Sequence, residues 1–187
     1  MQVSRHVQPD VKIFSAGKWH DAVILRFDNP EQGFASRCSF GYETSYLVEN
    51  IEDTGSPFSK AVSALYPLDW EGRRSSTPAF VYDIAPAGAA KRFLLARLGQ
   101  EKPAHIGADL YLLGRSTPAP IGNMRIKESA EAVDEREPIG FKREDVVHRD
   151  SRFLEYAYEQ GAAIGGATGA GCEAPKLLLA ENKAGLL

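Results

Sequence analysis

The chain predicts an α+β fold: a β-rich N-terminal subdomain, then helices, then a glycine-rich loop that feeds one more strand. Three observations predict it. Short apolar runs separated by turn residues fill positions 11–48, the pattern of antiparallel strands. Apolar residues at clear helical spacing first appear at positions 88–98. Near the end, Gly165, Gly166, Gly169 and Gly171 fall within seven residues. No helix interior tolerates that density, because each glycine costs about 1 kcal/mol there relative to alanine.

In chain order, Val11-Lys12-Ile13-Phe14 leads into a turn at residues 15–18 and then into a strand at 22–27. Residues 28–33 carry Asp, Asn, Pro and Gly and read as a second turn. A third strand is expected at 40–48, where Tyr42, Thr44, Tyr46 and Val48 alternate with Gly41, Glu43, Ser45 and Leu47. Strands this short need another element to cover them. No helix signal appears before residue 59, so the cover is expected from later in the chain. Residues 53–57 read as loop and 58–65 as a strand or a short helix. Pro67 interrupts regular structure over 66–72, where Trp70 is the candidate buried anchor of a packed loop.

The helix at 88–98 has Ala90, Phe93, Leu94, Arg97 and Leu98 at helical spacing, Lys91 and Arg92 outward, and Gly99 as its stop. Phe93 and Leu94 are expected to cover the strands of 11–48. Pro103 breaks the chain, a short apolar segment follows at 109–113, and residues 121–126 alternate as a strand does. Residues 127–145 are charged, contain Pro138 and Gly140, and read as solvated loop. The expected division is therefore an N-terminal subdomain over 1–126, a charged linker region over 127–150, and a further unit beginning at 151–187. Ser151 is placed to cap a helix at 152–160 that packs Phe153, Leu154, Ala157 and Tyr158 and ends at Gly161.

The totals narrow the class. With 187 residues, 43% hydrophobic and 25% charged, the chain is large enough for one good core or two small ones. A net charge of -3 and the absence of any Lys/Arg block longer than two residues argue against a non-specific nucleic-acid binder and a polybasic membrane anchor. No apolar run approaches the roughly 20 residues of a membrane span, and the polar N-terminus lacks a signal-peptide core. Two cysteines, Cys38 and Cys172, and four scattered histidines match no metal spacing. They point to a reducing, cytoplasmic setting without structural zinc, and no disulfide is expected between them.

Candidate chemistry concentrates at the end of the chain. A turn built from glycines lets backbone N–H groups converge on an anion, and kinase-type loops lay such donors over phosphate oxygens. A connector without a ligand is the other reading. Residues 176–180 then read as a short buried strand. Neither nucleotide-loop spacing fits: Lys176 is followed by Leu177 instead of Ser or Thr, and no G-x-G-x-x-G opens a helix after a strand. Lys176 could pair with a phosphate or an acid, or be an ordinary surface lysine. His148-Arg149-Asp150 imitates the start of a kinase catalytic loop, but Glu155 stands where an asparagine is required, and the triplet precedes the glycine loop. Asp150 is better explained as helix-start chemistry. His6, His20 and His105 read as ordinary residues.

Four stretches have a meaning as a set: Ala64-Leu65-Tyr66-Pro67-Leu68-Asp69; Phe80-Val81-Tyr82-Asp83-Ile84-Ala85-Pro86-Ala87-Gly88-Ala89-Ala90-Lys91-Arg92; Pro120-Ile121-Gly122-Asn123-Met124-Arg125-Ile126; and residues 165–179 with the glycine loop. In order and content they resemble the N-terminal portion of the HipA-type kinases, the toxin component of bacterial persistence toxin–antitoxin pairs, over most of residues 11–180. The resemblance implies a β-rich N-terminal subdomain and then a kinase-like, ATP-binding N-lobe, of which 151–187 would be the incomplete beginning. A mostly helical lobe with catalytic and magnesium-binding aspartates would follow. Such enzymes are ATP-dependent serine/threonine kinases, and the best-known type modifies a glutamyl-tRNA synthetase. A small helix-turn-helix antitoxin usually binds the toxin and recruits it to operator DNA.

Carried over by position, Gly169, Ala170, Gly171, Cys172, Glu173 and Ala174 would form the loop over the ATP phosphates, and Lys176 would be the lysine that ends it. Where some members carry an inhibitory autophosphorylated serine at the front of the loop, this sequence has Gly169, with Thr168 as the nearest hydroxyl. The next strand's nucleotide-binding lysine and the catalytic aspartates would lie beyond Leu187, so no catalytic or metal-binding residue is expected within the 187. ATP and Mg belong to the complete family enzyme, and neither is expected to bind this chain tightly. The expected function is thus the N-terminal part of a HipA-like kinase, the toxin of a type II system, either shortened or one half of a split gene. Its partners would be a helix-turn-helix antitoxin or a separate kinase lobe, with a protein substrate for the complete enzyme and neither nucleic acid nor membrane. The alternatives are a stand-alone, non-enzymatic module that binds and regulates a separate HipA-like kinase, and a degenerate relative independent of nucleotide.

Overall fold

A computed structural model describes residues 9–56, 60–117, 122–134 and 140–159. Five antiparallel strands, β1 (Asp10–Ser15), β2 (Lys18–Phe27), β3 (Cys38–Tyr42), β4 (Arg73–Ser75) and β5 (Met124–Ile126), form one sheet in the order β4-β3-β2-β1-β5. The first hairpin is the expected one. Its two turn residues, Ala16 and Gly17, have φ of 49° and 81°, and positive φ at both positions matches the twist of the flanking strands. β1 also accepts β5 on its other side, pairing Val11 with Ile126 and Ile13 with Met124.

One face of the sheet is buried. Val11, Ile13, Val23, Leu25 and Phe40 meet residues from α1 (Thr44–Glu49), α2 (Ala79–Ile84) and α4 (Ala108–Arg115) in a single core that includes Tyr46, Leu47, Phe80, Ile84, Leu110 and Leu113. A second, smaller cluster joins Leu94 of α3 (Gly88–Leu98), Leu112 of α4, Phe141, and Phe153 of α7 (Ser151–Glu159). The α+β class therefore holds, and the helix at 88–98 has the expected bounds.

Several local expectations give way. The third strand ends at Tyr42, and residues 44–49 are helical, so helices do precede residue 59. The ladder stops where Glu43 N–H donates to Ala22 O at 2.9 Å, and the helix starts where Leu47 N–H donates to Glu43 O at 3.0 Å. Tyr46 and Leu47 are consecutive and both buried, which a strand covered on one face does not allow but a helix edge does. Trp70 is 52% exposed and anchors nothing. The irregular stretch is held instead by Tyr42, whose hydroxyl donates to Tyr66 O at 2.5 Å and accepts from Val62 N–H at 3.0 Å, and by Tyr46, whose hydroxyl donates to Lys60 O at 2.7 Å.

The helix at 88–98 does not cover the sheet as expected. Successive helical side chains point about 100° apart, and on α3 only the direction of Leu94 is covered. Leu94 is buried in the second cluster and Phe93 is 41% exposed. Residues expected as solvated loop form α5 (Lys127–Asp134) and α6 (Arg143–Val147). α5 follows β5 directly and packs on β1 and α4. Glu131 is exposed, while Ala130 is buried and the Ser129 hydroxyl accepts the Thr117 N–H at 2.8 Å. At the start of α7 the carboxylate of Asp150, not the Ser151 hydroxyl, accepts the Arg152 N–H, at 3.0 Å. Gly161 and the strand expected at 176–180 lie outside the described residues.

Candidate functional site

The residues assigned to phosphate binding by the resemblance, Gly169, Ala170, Gly171, Cys172, Glu173, Ala174 and Lys176, all lie outside the described residues. Within them, chemistry-bearing side chains converge in a cleft between the turn at Pro30–Ala35, the corner joining α2 to α3, and the start of α4.

Two glycines set its geometry. Gly33 has φ 59° and ψ -134°, a backbone state that favours glycine. Gly107 comes so close that a Cβ on it would stand 2.5 Å from Gly33 N and 2.6 Å from Gly33 Cα. Its own N–H donates to Pro30 O at 2.7 Å. This backbone contact brings the first turn of α4 against the Pro30–Ala35 turn and delivers Asp109 to the cleft. On the other side, α2 ends at Ile84, Pro86 prevents its continuation, and α3 restarts from Gly88 at φ 53°. One turn into α3, Lys91 reaches across to pair with Asp109.

The resulting space, about 480 Å³, is lined by Phe34, Ala35, Tyr82, Ala85, Pro86, Ala87, Gly88, Lys91 and Asp109. Phe34 and Tyr82 meet edge to face with ring centroids 5.1 Å apart. At the polar end, the ammonium of Lys91 has two N–H bonds beyond the one directed at Asp109, and the carboxylate has spare lone pairs. The cleft therefore offers an aromatic wall, a floor of small residues, and a donor beside an acceptor. Lys91 was expected to point outward. Its half-buried side chain and its partner eighteen residues on correct that.

A second array covers the open face of the sheet. Lys12 and Lys127 both reach Asp21, at 2.7 and 3.0 Å, and Arg26 stands 3.7 Å from Asp10. The Asp10 N–H donates to the Glu128 carboxylate at 3.3 Å. Arg125 lies over the Trp19 ring at 4.3 Å from its centroid. Burial opposes ionisation of Asp21, but the hydrogen bonds from Lys12 and Lys127 outweigh it and hold the carboxyl below its ordinary range. Burial dominates at Asp10 and Glu128 and pushes both carboxyls up. Cations and carboxylates alternate here and largely neutralise one another.

The remaining candidates are structural. Asp150 is engaged at the start of α7, His148 ends α6, and His20 Nδ1 lies 3.1 Å from the Glu49 carboxylate. Cys38 is buried, and burial pushes its thiol up to about 11, which leaves it protonated and inert at neutral pH. Among the described residues no group of three or more His, Cys, Asp or Glu could hold a metal ion, and no helix is long and apolar enough to cross a membrane. No family model, curated protein or solved structure matches the chain. Sequence reasoning missed every cleft residue as a site residue, Phe34, Tyr82, Lys91 and Asp109 among them. The available signal was a glycine two residues before an acid at a helix start, which says nothing of the partner across the fold.

Proposed function

We propose that these residues are the N-terminal part of a HipA-like ATP-dependent serine/threonine protein kinase, the cytoplasmic toxin of a type II toxin–antitoxin system, incomplete for catalysis by itself. One observation carries the reading. Three of the four resembling stretches reach the same core: Leu68, Phe80, Val81, Ile84, Ala85 and Ile126 are buried together, with Tyr66 and Met124 packed against them. That these stretches share one core is what the resemblance implies for parts of a single N-terminal subdomain. On this reading the sheet and its helices are the N-terminal subdomain. The loop at 169–175 and Lys176 contribute to the ATP site, and ATP and Mg are held once the remaining lobe is present. Phosphoryl transfer needs metal-holding carboxylates as well as positioned phosphates.

The test is phosphoryl transfer from labelled ATP. The 187 residues should give no magnesium-dependent transfer above background, and the chain extended by its downstream coding sequence should give it. In the extended protein Gly171→Val should lower ATP affinity sharply, since a β-branched side chain blocks close backbone approach. Transfer by the 187 residues that is lost on mutating one of their own side chains would count against the reading. So would equal ATP binding, measured by calorimetry, in the extended wild type and Gly171→Val.

The second reading is a stand-alone module that binds and regulates a separate kinase. Val48, Ile51, Leu65 and Trp70, 58%, 59%, 71% and 52% exposed, are the large apolar side chains such a module would offer a partner. A separate kinase gene downstream, whose product copurifies with this chain, would select it.

A further inference from the structure

Four features of the cleft define what would fill it. Its volume, about 480 Å³, lies in the range of small-molecule sites. Its outer wall is Tyr82, 52% exposed and in edge-to-face contact with Phe34, so much of its aromatic surface is left uncovered. Ala85, Ala87 and Gly88 line it with little side-chain bulk, which leaves room for a flat group against the tyrosine. Its polar end is the Lys91–Asp109 pair, with side chains 37% and 32% exposed.

That pair discriminates by charge. An anion must compete with Asp109 for the ammonium, and a cation must compete with Lys91 for the carboxylate. Either weakens the Lys91–Asp109 pair, a modest cost for side chains about one-third exposed. A neutral group with a donor and an acceptor side by side accepts from a spare N–H of Lys91 and donates to Asp109, leaving the pair intact. We propose that this cleft binds an uncharged planar ring bearing an adjacent hydrogen-bond donor and acceptor, the class of aromatic amides and lactams. The proposal goes beyond the kinase reading and stands or falls without it.

Three probes test it on the full 187-residue chain: benzamide, benzoate and benzamidine, which share a ring and differ in charge. In amide NMR spectra, benzamide should shift Ala85, Ala87, Gly88 and Lys91 saturably. The two charged probes should bind about two- to fivefold more weakly, the range an exposed ion pair supports. Tyr82→Ala should weaken benzamide by about two- to tenfold, the worth of an aromatic contact. Lys91→Met keeps the aliphatic stem but leaves Asp109 unpaired, so it should turn the preference toward benzamidine, an outcome that mere loss of packing does not produce. Both positions are partly exposed, and thermal melts of the variants report their folding. No saturable shift of these amides up to about 20 mM benzamide, equal affinity for the three probes, or an unaltered preference in Lys91→Met would each overturn the proposal.

Discussion

Gly107 occupies a place where any side chain meets backbone. A Cβ there would overlap Gly33 N and Cα, so Gly107→Ala must move the α4 start or the Pro30–Ala35 turn. Forced overpacking of this kind typically costs about 1–3 kcal/mol, and a urea midpoint lowered accordingly is the expected result. Gly17→Ala, by contrast, would strain only its φ, since its Cβ would have nothing within 4 Å. Tyr42 is the second residue of this kind. Its hydroxyl is both donor and acceptor in a buried setting, and burial pushes the phenol up to about 12, so the proton it donates is retained. Tyr42→Phe leaves the Val62 N–H and the Tyr66 carbonyl without this partner. It should cost about 1–3 kcal/mol, the penalty for stranding buried polar groups. An unchanged midpoint would show that the loop at 60–68 is held by other means.

Helix α3 shows how an element with correct bounds takes a different role. Its buried residue, Leu94, closes the small cluster with Leu112, Phe141 and Phe153, and Ala90, Leu95 and Leu98 pack around it. Leu94→Ala should cost about 2–5 kcal/mol if the site does not collapse, and Phe93→Ala, at an exposed position, much less. Hydrogen exchange separates this from an effect on the sheet. Protection in Leu94→Ala should fall first in α3, α4 and α7, with the β1–β2 hairpin retained longer. Equal loss of protection in both regions would mean that the two clusters unfold as one.

Across the whole molecule, the open sheet face makes stability depend on pH through groups of opposite sign. Asp10 binds its proton more tightly in the fold, because burial outweighs the attraction of Arg26 and Lys127, and Asp21 adds repulsion. Its contribution therefore falls as pH rises from the ordinary 3.8 through the raised native value. Glu128, raised from 4.5, acts in the same direction. Asp21 binds its proton less tightly in the fold, so its contribution is present above 3.8 and is lost as pH falls through the lowered native value. Asp21→Asn should flatten the stability curve on the acid side of 3.8, and Asp10→Asn should flatten it on the neutral side while Glu128 preserves part of the slope. Urea midpoints from about pH 3 to pH 7 check both. A curve for Asp10→Asn parallel to wild type throughout would remove Asp10 from the linkage.

Local signals in the sequence determined the α+β class, the first hairpin, the bounds of α3 and the start of α7. Each rests on chemistry contained within a few residues: positive φ at Ala16 and Gly17, apolar residues at helical spacing in α3, and Asp150 beside the first turn of a helix. Residues 44–49 misled because aromatic and β-branched residues suit strands, and only the seat beneath Tyr46 and Leu47 makes them helical. Residues 127–134 misled because charge was read as solvation, whereas one face of α5 is buried against β1 and α4. The glycine-rich loop was legible as a candidate phosphate cradle but falls outside the described residues. The cleft was not legible at all. Lys91 and Asp109 meet because Gly33 and Gly107, distant in sequence, bring two backbones into contact. A pairing set by the packing of separate elements leaves no periodicity in the chain, so only the tertiary structure decides it.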